Sequence, residues 1–357
     1  MTREDVSEIL VRGPNWLGDL VMSTPGLRAL RAGFPQAKIT LHVRPGLEQL
    51  LAGSPWLDRV ETVHSYHRGP ASMLAEGRRL RKAKRFDLGV CLPDSISSAL
   101  LMKLAGVRRV VGHPSPGRGP LLDQAVGPSV NSGRTRWVAR EQHVLELMRA
   151  LGCPDLGTDL SLSVLEVDRE ELARVLAARG GAHETAPGVA LAPGASYGAS
   201  KRWPVTHFAE VGDSLAAAGA RVFLLGSSEE VGLTRAVCEA MQEPAVDLAG
   251  ALDLGALKAF VEGLALLVAN DAGSRHLAAA FGVPSLIFFG STSVDKTPLN
   301  LEAVRVFQRT LACRPCYLRR CPRPGHPCLS GIEPKPVADV AVSLLKSQDA
   351  LPQVGLS

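Results

Sequence analysis

The chain has 357 residues, 46% of them hydrophobic, which is too much for one ordinary core and points to two folded domains rather than a disordered polymer. Forty Lys and Arg against 35 Asp and Glu leave a net charge of +5, gathered in Arg-rich patches, so an anionic partner is expected: phosphate, lipid headgroup or nucleic acid. Aromatic residues make up only 4%, which argues against single-stranded nucleic acid, whose bases stack on aromatic rings.

The segment Met1-Thr2-Arg3-Glu4-Asp5 is charged and runs straight into a strand-like stretch, so no signal peptide is expected. The longest apolar run, 97–107, is interrupted by Lys103 and is too short to span a bilayer. Strands are predicted over 9–12, 39–43, 60–64, 88–92 and 109–111, with helices around 27–32, 47–51, 72–84 and 95–104. Residues 112–136 break this rhythm with Gly, Pro and Ser and carry Arg118, Arg134 and Arg136, a long basic loop. Helices over 138–151 and 168–179 lead to a Gly/Pro-containing connection near 180–187. A second series follows, with strands over 189–192, 222–225, 246–248, 266–269 and 285–289 and helices over 208–218, 231–241 and 254–262. Alternation of this kind implies α/β folding on parallel sheets, here two Rossmann-like domains facing each other across a cleft. The expected division is 1–180, 188–335 and a C-terminal helix and tail over 336–357.

Three loops carry chemistry. Leu267-Val268-Ala269-Asn270-Asp271-Ala272-Gly273 reads as a strand, a tight turn and the start of a helix that continues through His276. The free N–H groups and positive end of such a helix suit a phosphate, and Gly273 lets the anion come close. Asp271 as an N-cap and His276 as a buried ring are the plain alternatives. In Ala192-Pro193-Gly194-Ala195-Ser196-Tyr197-Gly198-Ala199-Ser200-Lys201-Arg202-Trp203-Pro204, small residues permit backbone approach, Ser196 can donate to an anion and Lys201 can neutralise one. The loop Arg12-Gly13-Pro14-Asn15-Trp16-Leu17-Gly18-Asp19 lacks a GxGxxG pattern, against a nicotinamide dinucleotide. Its Asp19 is either a cap or a general base kept ionised by a helix N-terminus. Pro25 marks a kink or a helix start near Ser23.

Together, Trp16-Leu17-Gly18-Asp19, Lys201-Arg202-Trp203-Pro204 and Asn270-Asp271-x-Gly273-x-x-His276 resemble the ADP-heptose:lipopolysaccharide heptosyltransferases, glycosyltransferase family 9, most of all their type II branch. The resemblance covers nearly the whole chain. It implies a GT-B glycosyltransferase that inverts the anomeric carbon, with the acceptor on the amino-terminal domain and ADP-heptose on the carboxy-terminal one. Carried over, Asp19 is the catalytic base and Lys201 stabilises the departing ADP. Ser196, Tyr197, Lys201, Asp271, Ala272, Gly273 and His276 line the donor site. Ala272 stands where relatives often carry Ser or Thr. The ribose-binding acid falls to Glu229 or Glu230, with Glu229 preferred. Arg118, Arg134, Arg136 and Arg140 would meet acidic groups of a lipopolysaccharide inner-core acceptor, a Kdo2-lipid A derivative. No DxD-like pair is present near these motifs, so catalysis is expected to need no cofactor. The implied setting is cytoplasmic, in transient contact with the inner-membrane surface, with no nucleic-acid partner.

Cys91, Cys153 and Cys238 are scattered, whereas Cys313, Cys316, Cys321 and Cys328 cluster around His326. In a reducing compartment such a cluster suits a structural zinc, with His326 as a replacement ligand; reduced or redox-active thiols are the alternative. Two rival functions remain: another GT-B nucleotide-sugar transferase or epimerase, and a zinc-bearing nucleic-acid binder without enzymatic activity.

Overall fold

The computed structural model describes residues 5–63, 69–127, 138–181 and 186–348. The chain forms two compact units, Met1–Ser163 and Val164–Ser357.

The first unit is built on strands β1 (Glu8–Arg12), β2 (Lys38–Val43), β3 (Arg59–Thr62), β4 (Leu88–Cys91), β5 (Arg109–Gly112) and β6 (Gln124–Ala125). They lie in the order β3-β2-β1-β4-β5-β6, and every pairing is parallel. The central strands β1 and β4 are buried apart from Glu8, as expected when helices cover both faces. Those helices are α1 (Leu17–Val21), α2 (Thr24–Gly33), α3 (Pro70–Ala83), α4 (Ile96–Leu104) and α5 (Arg140–Ala150). Pro25 sits in the first turn of α2, where its missing N–H costs nothing, so the chain after β1 forms two short helices and not one kinked helix.

In the second unit, α6 (Glu166–Ala178) precedes β7 (Gly188–Ala192), α7 (Val205–Ala217), β8 (Arg221–Leu224), α8 (Val231–Ala240), β9 (Ala245–Asp247) and α9 (Leu254–Glu262). Then follow β10 (Leu266–Asn270), α10 (Gly273–Ala280), β11 (Ser285–Phe289), β12 (Val304–Gln308), α11 (Pro327–Ser330) and α12 (Pro334–Gln348). The sheet order β12-β11-β10-β7-β8-β9 repeats the winding of the first, again all parallel. Trp203 is a core anchor: 2% exposed, stacked on Phe288 with ring centres 4.0 Å apart, its indole N–H donating to the Ile332 carbonyl at 3.0 Å.

Four expectations change. The units divide at Ser163/Val164 and not near 180–187, because α6 packs on α9. The fully buried Lys258 ammonium of α9 lies 3.2 Å from Asp168 of α6, a long-range pair that joins this helix to the second core. The C-terminal helix α12 is part of that core too, through Val337, Ala338, Ala341 and Leu345. The helix expected over 47–51 is a single 3-10 turn, Glu48–Leu51, and the basic loop contributes a closing edge strand, β6.

In each sheet the strand order reverses at one point, between β1 and β4 and between β7 and β10. Open α/β sheets bind ligands in the crevice outside the carboxyl ends of strands at such a point. The loops leaving β1, β4, β7 and β10 are therefore where chemistry is to be sought.

Candidate active site

In the second unit, the loops after β7 and β10 are locked together by Asn270, which is fully buried. Its amide donates to the Pro193 carbonyl at 2.8 Å, and its oxygen accepts the Trp203 N–H at 2.9 Å. This lock brings Lys201 to Asp271. The ammonium lies 2.7 Å from Asp271 Oδ2 and also donates to the Asp271 carbonyl at 2.9 Å. The other carboxylate oxygen is 2.9 Å from Arg275 Nε, one helical turn on, and the Thr292 hydroxyl donates to Oδ2 at 2.7 Å.

Burial would raise the Asp271 carboxyl, but Arg275 and Lys201, with the Lys201 and Thr292 hydrogen bonds, bring it down to about 2. Asp271 is thus a fixed anion that aims two cations; Lys201, Arg275 and Asp271 leave one net positive charge at the start of α10. Ala272, the N-cap of that helix, is extended and supplies no side-chain cap. The geometry suits a diphosphate on Lys201 and the first turn of α10. His276 is buried one turn further in. Burial, helped by the Arg275 charge, holds its pKa well below the ordinary value, so the ring is neutral at pH 7.

Other donor-site expectations fall unevenly. Tyr197 lies in the same loop, with Lys201 Nζ 5.2 Å from its ring centre, whereas Ser196 is exposed. The buried hydroxyl of the loop is that of Ser200, 3.0 Å from Ser291 Oγ. Of the two acids after β8, Glu229 is exposed. Glu230 accepts from Ser227 N at 2.9 Å, and a Cβ added to Gly194 would stand 2.2 Å from Glu230 Oε1. The acid against the β7 loop is therefore Glu230.

In the first unit, Arg12 is fully buried and shapes the loop after β1. It donates to the His42 carbonyl at 2.9 Å and to Asn15 Oδ1 at 2.6 Å, and it also bonds the Gly13 carbonyl. The loop delivers Asp19 to the first turn of α1, half-buried, beside the exposed Trp16. After the neighbouring strand β4 comes Asp94, with His143 Nε2 3.1 Å from Oδ2, Arg118 Nη1 3.6 Å from Oδ1 and Arg140 Nη1 4.0 Å from Oδ2. Arg118 is entirely buried and donates to the His113 carbonyl at 2.9 Å, so it is no exposed ligand for an acceptor phosphate. Arg140 remains partly accessible at the start of α5, while Arg134 and Arg136 lie outside the described residues.

Residues 73–326 match the family described as Glycosyltransferase family 9 (heptosyltransferase), well over half of the chain. The chain belongs to this family. It is a glycosyltransferase of the GT-B α/β class. It is 27% identical to lipopolysaccharide heptosyltransferase 2 of Escherichia coli K12, over 96% of this chain and 100% of that protein. With lipopolysaccharide heptosyltransferase 2 of Salmonella typhimurium the identity is 29%, over 96% and 99%. The solved structure of E. coli ADP-heptose lps heptosyltransferase II superposes with a TM-score of 0.80, covering 96% of this chain and 100% of the other.

In this family 9 enzyme the Cys-rich segment buttresses the Lys201 loop. Ser200 N donates to the Arg319 carbonyl at 3.2 Å, Cys316 N and Tyr317 N both donate to the Ser291 carbonyl, and His326 Nε2 lies 3.0 Å from the Ser200 carbonyl. Arg314 ties the segment to the Gly290 carbonyl at 2.6 Å and the Thr292 carbonyl at 3.1 Å. Cys328 joins the hydrophobic core, where burial raises its thiol pKa. Hydrogen bonds and core packing thus order this stretch. Cys313, Cys316, Cys321, Cys328 and His326 do line one cavity of about 80 Å³. Among the described residues, however, the set of three potential ligands lying within 4.8 Å of one another is His113, His143 and Glu146, and the thiols as placed form no tetrahedral site. Both ring nitrogens of His113 already face carbonyls, of Val126 at 2.8 Å and His143 at 2.7 Å, which speaks against an ion there too.

Sequence reading assigned no role to Arg275, Thr292 or Asp94, and it named Asn270 only as a motif residue. The i, i+4 spacing of Asp271 and Arg275 is a visible signal of an ion pair on one helix face. Nothing local marks Asp94, whose partners come from far along the chain.

Proposed function

We propose that this enzyme transfers heptose from ADP-heptose to a heptose hydroxyl of the lipopolysaccharide inner core, of the heptosyl-Kdo2-lipid A kind, with inversion at the anomeric carbon. The observation that carries the reading is the Lys201–Asp271–Arg275 constellation at the reversal point of the second sheet, in a chain that aligns over 96% of its length with heptosyltransferase 2.

The reaction is a single displacement. Asp19 accepts the proton of the acceptor hydroxyl as its oxygen bonds to C1. The bond from C1 to the phosphate oxygen breaks, and ADP leaves with the electron pair. Lys201 and the first turn of α10 bind the charge that grows on the diphosphate, with Arg275 fixing Asp271 behind them. These cationic groups do what a metal on the diphosphate does in other transferases, so no cofactor enters the mechanism. Glu230 takes the role first given to Glu229, facing the ribose beside Gly194. The acceptor is a lipid, so the enzyme works at the inner-membrane surface on its cytoplasmic side; among the described residues no helix is long and apolar enough to cross the bilayer. The Cys segment acts as a brace for the donor loop. A zinc there requires the thiols to close on their cavity, and elemental analysis for about one zinc per chain decides whether they do.

Incubation with ADP-heptose and heptosyl-Kdo2-lipid A, following ADP release and the mass of the lipid product, tests the assignment. A product one heptose heavier supports it. Release of ADP without a heavier lipid, or no release, overturns it.

A further inference from the structure

Asp94 combines strong electrostatic holding with few hydrogen bonds. Arg118 and Arg140 lie at 3.6 and 4.0 Å, within reach of its charge but beyond a hydrogen bond. The hydrogen bonds that the two guanidiniums make go to other groups: Arg118 donates to the His113 carbonyl at 2.9 Å and Ser98 Oγ at 3.3 Å, Arg140 to the Leu92 carbonyl at 2.7 Å. His143 Nε2, at 3.1 and 3.2 Å from the two oxygens, is the hydrogen-bonding partner of the Asp94 carboxylate among the described residues. An ionised carboxylate has about four acceptor sites. Among the described residues, one imidazole N–H leaves most of them open.

The open side faces solvent. The Asp94 side chain is 35% exposed, whereas those of Arg118, His143 and Arg140 are 0%, 10% and 19% exposed. Burial works to raise the Asp94 pKa, but His143, Arg140 and His113 outweigh it, so the group is an anion at neutral pH. It follows β4, three residues past Cys91, and Cys91 pairs with Arg12 at the end of β1, the strand that leads to Asp19. Two carboxylates thus follow adjacent strands at the reversal point of the first sheet, Asp94 in the loop after β4 and Asp19 in the first turn of α1.

Resting on the reading that the acceptor binds the first unit, we propose that Asp94 is a specificity-determining residue that accepts hydrogen bonds from a hydroxyl of the acceptor sugar, with His143 as its positioning residue. An ionised carboxylate with free lone pairs selects hydroxyl donors and repels phosphate and carboxylate groups. The cations behind it keep it charged in a partly desolvated place without occupying those lone pairs.

The test is steady-state transfer by the full chain, with the lipid acceptor varied at saturating ADP-heptose and then the reverse. Asp94→Ala should raise the acceptor KM at least 10-fold and leave the ADP-heptose KM within twofold. Asp94→Asn keeps one carbonyl acceptor in the same shape and should give a rise of a few fold, so a folding defect in the Ala variant does not end the test. Among acceptors with single hydroxyls removed, one should show the Asp94→Ala KM with the wild-type enzyme and no further loss with the variant. An acceptor KM within twofold of wild type in both variants overturns the proposal, as does an equal rise for both substrates. Asp19→Asn separates the two readings. If it abolishes turnover while Asp94→Ala changes nothing, only Asp94 is misassigned; if neither variant affects turnover, the acceptor is not on the first unit.

Discussion

On the proposed reading, Asp271 serves the diphosphate without touching it. Its negative charge draws Lys201 and Arg275 to the mouth of α10 and offsets their mutual repulsion. Asp271→Asn should therefore lower stability by about 3 kcal/mol, the scale for breaking a buried ion pair, and weaken ADP binding as well. Lys201→Ala should weaken ADP by about 1 to 3 kcal/mol in calorimetry with a smaller change in stability. If Asp271→Asn leaves ADP affinity unaltered, the Lys201 ammonium is held by something other than this pair. Across the reaction, Asp19→Asn should reduce kcat about 100-fold or more while ADP binding stays near normal. Near-normal turnover would leave Asp19 as no more than a charge in the first turn of α1, whose N-cap is Trp16.

At the scale of elements, the two loops at the β7/β10 reversal were readable in the sequence because each leaves an apolar strand through small residues, Pro193-Gly194-Ala195-Ser196 in one and Ala272-Gly273 in the other, and leads to a helix. Asn270 and Trp203 stood in the quoted motifs, but their role as a lock was not readable, since it rests on Trp203 N meeting Asn270 Oδ1 across 67 residues of sequence. Strand β12 escaped because Val304–Gln308 is an edge strand, with Arg305 and Gln308 exposed and without a long apolar run. Helix α6 was assigned to the wrong domain because chain order says nothing about which core a helix joins, and its Asp168–Lys258 contact spans ninety residues of sequence. The Cys-rich segment was legible as a unit but not in its role as a brace. Cys316→Ser puts a hydroxyl into the largely apolar cavity beside Ser200 and Ser291, so it should lower the Tm by a few degrees, the effect of about 1 kcal/mol, and weaken ADP by loosening the packing under the donor loop. A normal Tm and normal ADP affinity would show that the brace does not need this side chain.

For the molecule as a whole, acid stability follows from which buried groups refuse or keep protons. His276 and His42 have folded-state pKa values below the ordinary 6.5, both mainly through burial. Below that pH the unfolded chain takes up protons that the folded chain does not, so stability declines as pH falls from about 6.5. Glu76 is opposed by burial but held by His42 and Arg79, down to about 2 against an ordinary 4.5, and Asp271 likewise lies near 2 against 3.8. Their contribution is complete above about 4.5 and is lost as pH falls from there towards 2. Denaturant midpoints measured from pH 8 to 3 should stay level above pH 7, sag below 6.5 and drop steeply below 4.5. A level midpoint from pH 7 to 4 would contradict this account of the two histidines.

The matching winding of the two sheets has an evolutionary corollary. Each unit has its own reversal point, so on the division of substrates proposed above, drift in the loops after β1 and β4 can retune which sugar is accepted while the loops after β7 and β10 keep their grip on one nucleotide. Diversification of a carbohydrate coat then needs change in only half of a gene, and the half that recognises the common currency of activated sugar can stand still.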